Sequence, residues 1–221
     1  MKKISLYPVI ILFWTAFLFS GCGTKDKSDR DKEIEQKRES GEYADATMLK
    51  KAADKEIESF MLSLKYSLNE AIREGGPVRA IGVCSEAAPE IAMAHAREGW
   101  QIWRLTDRSR NPNNQVNDLQ HDILYEFAEA GSAPPFVIEW KEEMGQRKFY
   151  YYKPIYTDKL CLNCHGVKES MKPETVAKLM ELYPDDQATG YYAGELRGMF
   201  MVEVDWPKGK VLAEKLAGDS L

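Results

Sequence analysis

Ile57, Phe60, Met61, Leu64, Leu68 and Ile72 recur at intervals of three and four along the chain. That period lays one apolar stripe along a helix. The triplet "GGP" at 75–77 ends the stripe, because two glycines and a proline break helical continuity. A second helical stretch, "VRAIGVCSEAAPEIAMAHARE" (78–98), follows. Pro89 must kink it or open a new segment, since proline lacks the amide donor and clashes with the preceding turn. The period then shortens to two: "WQIWRLT" (100–106) alternates like a half-buried strand, and "DRSRNPNNQVN" reads as a polar, turn-rich loop. "DLQHDILYEFAEA" (118–130) returns to the helical period, with Asn117 or Asp118 available as its cap. "PFVIEW", "KFYYYKPIY" and "LRGMFMVEVDW" carry the aromatic and β-branched residues of strands. Glu142 to Arg147 joins the first two as a hairpin. No internal repeat is visible. Long N-terminal helices followed by a small antiparallel sheet predict an α+β domain.

The first 21 residues stand apart from this pattern. Lys2 and Lys3 precede a 16-residue apolar run (4–19) and then "SGC". A membrane span wants about 20 apolar residues with charged anchors on both sides, so this is read as an export signal. "FSGC" resembles a bacterial lipobox, with Phe19 where leucine is usual. Cys22 is therefore expected to be acylated and to become the mature N-terminus. Ordinary secretory cleavage and a retained anchor are the alternatives. Gly23, rather than aspartate, directs such a protein to the outer membrane, lipid-anchored on the periplasmic side. Residues 22–42 follow as a charged flexible tether: six basic and seven acidic side chains surround the single aliphatic Ile34. Such a segment has no face to bury.

Composition narrows the classes further. A hydrophobic content of 44% over 221 residues excludes a disordered chain and suits one packed domain. Losing Lys2 and Lys3 with the leader takes the net charge from −5 to −7. No basic patch remains to suggest a nucleic-acid partner, and an acidic protein must rely on its lipid to stay at the membrane.

The candidate chemistry lies in "KLCLNCHGVK" (159–168). Cys161, Cys164 and the adjoining His165 have the spacing at which two thiols add to the vinyl groups of a haem. The histidine is then placed beneath the porphyrin as the proximal iron ligand. Export agrees, because haem is attached to such motifs outside the cytoplasm. A zinc site would need two more soft ligands, usually a second close pair, which the chain's four cysteines do not supply. A thioredoxin-like dithiol expects a helix opening at the motif in a βαβ setting, whereas here "HGVKESMKP" follows. A plain Cys161–Cys164 disulfide is the remaining alternative. One covalent haem c is the expectation.

The ligand on the opposite face decides what the iron can do. An open position binds gases or peroxide; a closed one transfers electrons or reports redox state. Cys84, His95, His121, Met93, Met144, Met171, Met180, Met199 and Met201 are the candidates. Histidine or methionine is the commoner ligand. Most of these methionines suit a core, and His121 suits a surface or boundary position on its helix. Cys84 is different in kind. With Cys22 assigned to lipid and Cys161 and Cys164 to haem, it is the remaining thiol, unusual in an exported chain. A small buried residue on a helix is the alternative role. Ala80, Ala87 and Ala88 lie around it at helical spacing, a surface that a flat porphyrin could approach closely.

Four blocks carry a more specific resemblance: "AIGVCSEAAPEIA" (80–92), "RLTDRSRNPNN" (104–114), "CLNCHG" (161–166) and "YPDDQATGYYAGELRGMF" (183–200). In this order they resemble the family of PAS-like c-type haem domains, long known as a domain of unknown function, over about residues 43–207. The resemblance implies a PAS-like sheet, His165 as proximal ligand and Cys84 as distal ligand. A thiolate there would stabilise Fe(III) and give a low potential beside His/Met ligation. Its weakening or protonation on reduction would make a switch. In that family the domain often forms the extracytoplasmic input of sensor kinases and chemoreceptors. The "RNPNN" loop resembles the family's RNPxN element near the haem edge, so Arg110 and Asn111 become candidate propionate partners, with Arg104 a weaker one. A turn stabilised by asparagine side chains, with Pro112 and Asn114, is the alternative. Alternate members of Tyr150, Tyr151 and Tyr152 are expected to face core or haem. Arg197 and Gly198 are expected to define the start of the final strand rather than to contact ligand.

Residues 208–221 read as a short amphipathic tail ending at Leu221. With no kinase or receptor module after the domain, any signal is expected to pass to a separate redox or signalling partner. The sequence thus predicts a redox or small-molecule (gas) sensor, with a periplasmic electron-transfer cytochrome as the alternative. Enzyme activity is not expected, because no distal His/Arg pair is evident.

Overall fold

A computed structural model describes residues 27–83, 88–97, 99–129 and 131–218. The leader, Cys22 and Cys84 lie outside the described residues. The chain divides into two units, Met1–Ser40 and Gly41–Leu221. In the first, the described residues are helical and carry an Arg38–Glu35 ion pair at 3.8 Å. All that follows concerns the second.

Helix α1 (Lys27–Gly82) begins inside the segment read as a tether. Within the second unit its apolar stripe is longer than the sequence pattern suggested. Leu49, Ala52, Ala53, Ile57, Phe60 and Leu64 are all buried on one side. Gly75 and Gly76 leave helical geometry, and Pro77 lies just beyond that kink in the stretch that runs on to Gly82. The "GGP" triplet therefore ends one helical stretch and opens the next, with Pro77 in its first turn, where proline is tolerated. Pro89 likewise sits in the first turn of α2 (Ala88–His95).

The strands β1 (Trp100–Leu105), β2 (Val137–Glu143), β3 (Gln146–Tyr156) and β4 (Leu196–Trp206) form one antiparallel sheet in the order β1-β4-β3-β2. The α+β expectation holds. Met144 and Gly145, both at positive φ (52° and 77°), close the β2–β3 hairpin, as a two-residue turn matched to strand twist requires. Side chains alternate across the sheet, and each face has its own core. Ile102, Phe149, Tyr151, Phe200, Val202 and Val204 pack with the α1 stripe. Leu105, Tyr150, Tyr152, Met199 and Met201 pack against Ile123, Leu124 and Phe127 of α3 (Asp118–Ala128). Asn117 caps α3 in a reciprocal capping box with Gln120.

Two elements differ from the sequence reading. Residues 208–221 are not simply a tail: they include α6 (Lys210–Gly218), which buries Ala213 in the main core. Trp100 Nε1–H donates to Gly209 O at 2.9 Å, fixing its start. Helix α5 (Pro173–Leu182) was not foreseen. Its Thr175 and Leu179 are the only buried side chains in a short segment, too few to show a clear period. Among the described residues no helix is long and apolar enough to cross a membrane.

Phe60 joins α1 to the sheet, its ring 5.7 Å from Phe200 and 5.5 Å from His95. Phe60→Ala is expected to cost about 3–5 kcal/mol of unfolding free energy. Leu62→Ala, on the exposed face, should stay within about 0.5 kcal/mol of wild type. Urea unfolding of the two variants checks this; equal losses would mean that α1 does not dock by that stripe.

Candidate functional site

Strand β3 ends at Tyr156 and the chain turns at Asp158 into the CxxCH motif. Asp158 Oδ1 accepts from Leu160 N at 2.8 Å, from Cys161 N at 3.2 Å and from the Cys161 thiol at 3.3 Å. It thereby holds the turn leading into a single helical turn, α4 (Leu162–His165), whose amides at Cys164 and His165 both donate to Cys161 O. Positions i, i+3 and i+4 of a helical turn share one side. Cys161, Cys164 and His165 accordingly line one cavity of about 240 Å³.

His165 is held in one tautomer. Its Nδ1 lies 2.7 Å from Ala188 O. A carbonyl only accepts, so Nδ1 carries the proton and Nε2 keeps the lone pair. Burial first, then the positive charges of Arg197, Arg110 and Arg104, hold the imidazole well below the ordinary histidine range. The ring is neutral at physiological pH and ready to act as a ligand.

Ala188 is itself positioned by a buried carboxylate. Asp186 Oδ1 accepts from Ala188 N at 2.8 Å, and Oδ2 faces Arg110 Nη2 at 2.9 Å and Nε at 3.1 Å. Arg110 Nη2 also donates to Cys164 O at 2.6 Å. The strap 186–191 then binds the motif's backbone directly: Gly190 N donates to Gly166 O at 2.8 Å and Tyr191 N to His165 O at 3.0 Å. Arg108 ties the strap to the loop after β1, donating to Gln187 O at 3.3 Å and to Thr189 O.

The cavity walls come from three places. Met61, Leu64, Leu68 and Ile72 continue the α1 stripe beyond the sheet, and Ala80 follows the kink. Ile155 and Tyr156 come from the end of β3. Arg104, Leu105 and Thr106 leave β1 where Arg197 and Gly198 open β4. Gly198 is required there: a Cβ would lie 2.3 Å from Leu105 O. The arrangement offers two thiols, one imidazole lone pair and an apolar wall, with cationic side chains where the two strands meet. It can take an apolar ligand that carries anionic groups.

The predicted residues fall into three groups. Cys161, Cys164, His165 and Arg104 converge on the cavity. Arg110 and Asn111 are not among its lining residues. Arg110 is committed to Asp186 and Cys164 O, and Asn111 caps the 3₁₀ turn 112–114 through its side chain. Arg110 thus stands beside the motif as a positioning residue, with its buried Nη1 lacking a hydrogen-bond partner among the described residues, and Asn111 forms part of a turn. Cys22 and Cys84 lie outside the described residues. Of the other ligand candidates, His95 is buried against Glu56 at 2.7 Å and His121 is exposed. Met199 and Met201 belong to the α3 core, and Met171 is buried beside Leu179. Met93, Met144 and Met180 are exposed. Met61 is the methionine that lines the cavity. Tyr151 faces α1 while Tyr150 and Tyr152 face α3, and none lines the cavity.

The alternatives for the motif also separate. Burial pushes the Cys161 thiol up, whereas a redox dithiol works through a lowered one. Among the described residues no three His, Cys, Asp or Glu side chains cluster to hold a metal ion. Sequence reasoning missed Asp158, Asp186 and Ala188, and placed Arg197 at the start of β4 without its place on the cavity. Only Asp158 had a local signal, as a turn-forming aspartate three residues before Cys161. The others act across the fold.

A family model described as Tll0287-like matches residues 27–205. No curated protein matches the chain. Among solved structures, the cyanobacterial haem protein Tll0287 aligns at a TM-score of 0.51 and 24% identity. The alignment covers 69% of this chain and 94% of that one. Likeness at that identity carries the fold.

The Arg110 and Asp186 side chains are 6% and 7% exposed, so removing one charge strands the other. Asp186→Asn is expected to lower unfolding free energy by about 3–5 kcal/mol. Lys65→Gln, which opens the exposed Lys65–Asp158 pair at 3.7 Å, should cost no more than about 1 kcal/mol. Guanidinium unfolding curves measure both; a loss at Asp186 no larger than at Lys65 would remove Asp186 from its place as the strap's anchor.

Proposed function

The chain belongs to the Tll0287-like family, and from that premise we propose that it binds one haem c and serves as an exported redox or small-molecule sensor. The residues present fit that group. Two thiols on one turn suit the two thioether links, and His165 Nε2 suits an axial position. The apolar α1 wall suits the macrocycle. The single observation that carries the reading is His165, neutral, with Nδ1–H bonded to a backbone carbonyl and lining the same cavity as both thiols. Metal-binding histidines are oriented in this way.

When bound, haem c supplies an iron centre whose oxidation state and outside ligands can be sensed. Cys161 and Cys164 would anchor it, and His165 and Cys84 would be the ligands of its iron. Support for Cys84 is its place in the chain between Ala80, which lines the cavity, and Ala88, which is buried in the core. A distal thiolate would favour the oxidised state and lose affinity on reduction, opening a position for a gas. The lipid at Cys22 would hold the domain at the periplasmic side of the envelope, signalling to a separate protein. No catalytic role is proposed.

Two measurements test this. The purified protein should gain the mass of one haem, retained after denaturation, and Cys161→Ala/Cys164→Ala should abolish that retention. Ferric and ferrous absorption and magnetic-resonance spectra of wild type and Cys84→Ala should differ most in the ferric state, with carbon monoxide binding the reduced form of both proteins and the oxidised form of neither. Identical spectra would remove Cys84 as ligand and leave Met61, already at the cavity, to be tested in its place.

A further inference from the structure

Arg197 differs from the other cavity residues in how its charge is balanced. It lines the cavity together with Arg104. Its Nη1 donates to Thr106 Oγ1 at 3.2 Å and to Arg108 O at 3.4 Å, both neutral acceptors. Its guanidinium carbon lies 5.1 Å from the centre of the Tyr191 ring, which Arg108 also covers at 4.0 Å. Burial is the largest influence on Arg197 and holds its guanidinium below the ordinary value.

The neighbouring carboxylates are already engaged. Asp186 is bound by Arg110 at 2.9 Å, and Asp158 holds the turn leading into the motif and meets Lys65 at 3.7 Å. Among the described residues no carboxylate forms an ion pair with Arg197. The other charges nearby are Arg104, Arg108 and Arg110, all of its own sign. A guanidinium partly withdrawn from water beside like charges, without a counter-ion, is unfavourable unless an anion joins it. Its planar fork is shaped for a carboxylate.

We propose that Arg197, with Arg104 beside it, forms a carboxylate-binding end of the cavity, and that this end receives the propionate side arms of the macrocycle held at Cys161, Cys164 and His165. The proposal rests on the reading that the cavity holds haem c. It moves the propionate site from the "RNPNN" loop to the junction of β1 and β4. The parts of the cavity then have distinct tasks: thiols for attachment, imidazole for the metal, the α1 stripe for the ring and the β1–β4 junction for the acids.

The test uses the holoprotein. Haem content, from the absorption of the alkaline pyridine adduct, decides the haem reading separately and first. Resonance Raman spectra of wild type, Arg197→Gln, Arg197→Lys and Arg104→Gln then report the propionate bending band, which moves with hydrogen bonding to the carboxylate. The band should shift in Arg197→Gln and return towards wild type in Arg197→Lys. The reduction potential of Arg197→Gln should shift negative, because a cation lost near iron favours the more positive, oxidised state. If Arg197→Gln fails to mature, Arg104→Gln should show both shifts in the same direction. An unmoved propionate band in the glutamine variants, with haem content intact, overturns the carboxylate site and leaves the haem reading standing.

Discussion

The site depends on one buried carboxylate. Asp186 gives one oxygen to the Ala188 amide and the other to Arg110. Through the first it sets the carbonyl that fixes the His165 ring; through the second it holds Arg110 against Cys164 O. An ion pair this buried is costly unless both members are fully bonded. Here both Asp186 oxygens and the Arg110 Nε and Nη2 are bonded, each to a different part of the site, while the buried Arg110 Nη1 has no hydrogen-bond partner among the described residues. A short helical turn such as α4 has little stability of its own. Three distant segments, the loop after β1, the motif and the strap, are made rigid by one pair of charges.

A second constraint is the sign of charge around the cavity. The chain as a whole is acidic, at −5. Yet Arg104, Arg108, Arg110 and Arg197 gather at one end of the sheet, and several of them weigh on His165. Positive potential beside an imidazole keeps it unprotonated, which is the state a metal requires. The same potential attracts anions. One group of arginines thus prepares the histidine and shapes what kind of ligand can lie beside it.

Much of this was legible in the sequence, and the rest was hidden for physical reasons. Periodicity marked α1, α3 and the four strands, because each has a face that must be buried. The three-residue and one-residue spacings in Cys161, Cys164 and His165 brought the three side chains to one cavity, because a single turn fixes those positions locally. Arg197 was read as a strand start because its cavity role comes from pairing β4 with β1, which no local pattern records. The partner of Arg110 was hidden for the opposite reason. Its motif was real, but its partner Asp186 lies far along the chain, and only the fold shows that the two neutralise each other. Residues 208–221 looked like a tail because the burial of Ala213 needs the Trp100 corner of the sheet to exist first.

Strand order adds a temporal dimension. β4 lies in the middle of the sheet, between β1 and β3, yet it is the last strand to be synthesised. Contacts of such long sequence separation close late. The CxxCH turn is therefore made before the strap 186–191 and the β1–β4 junction can enclose it. Its two thiols are open to reaction while the chain is still incomplete, and the final strand then closes the cavity from behind. The order of the sequence itself sets exposure of the motif before enclosure.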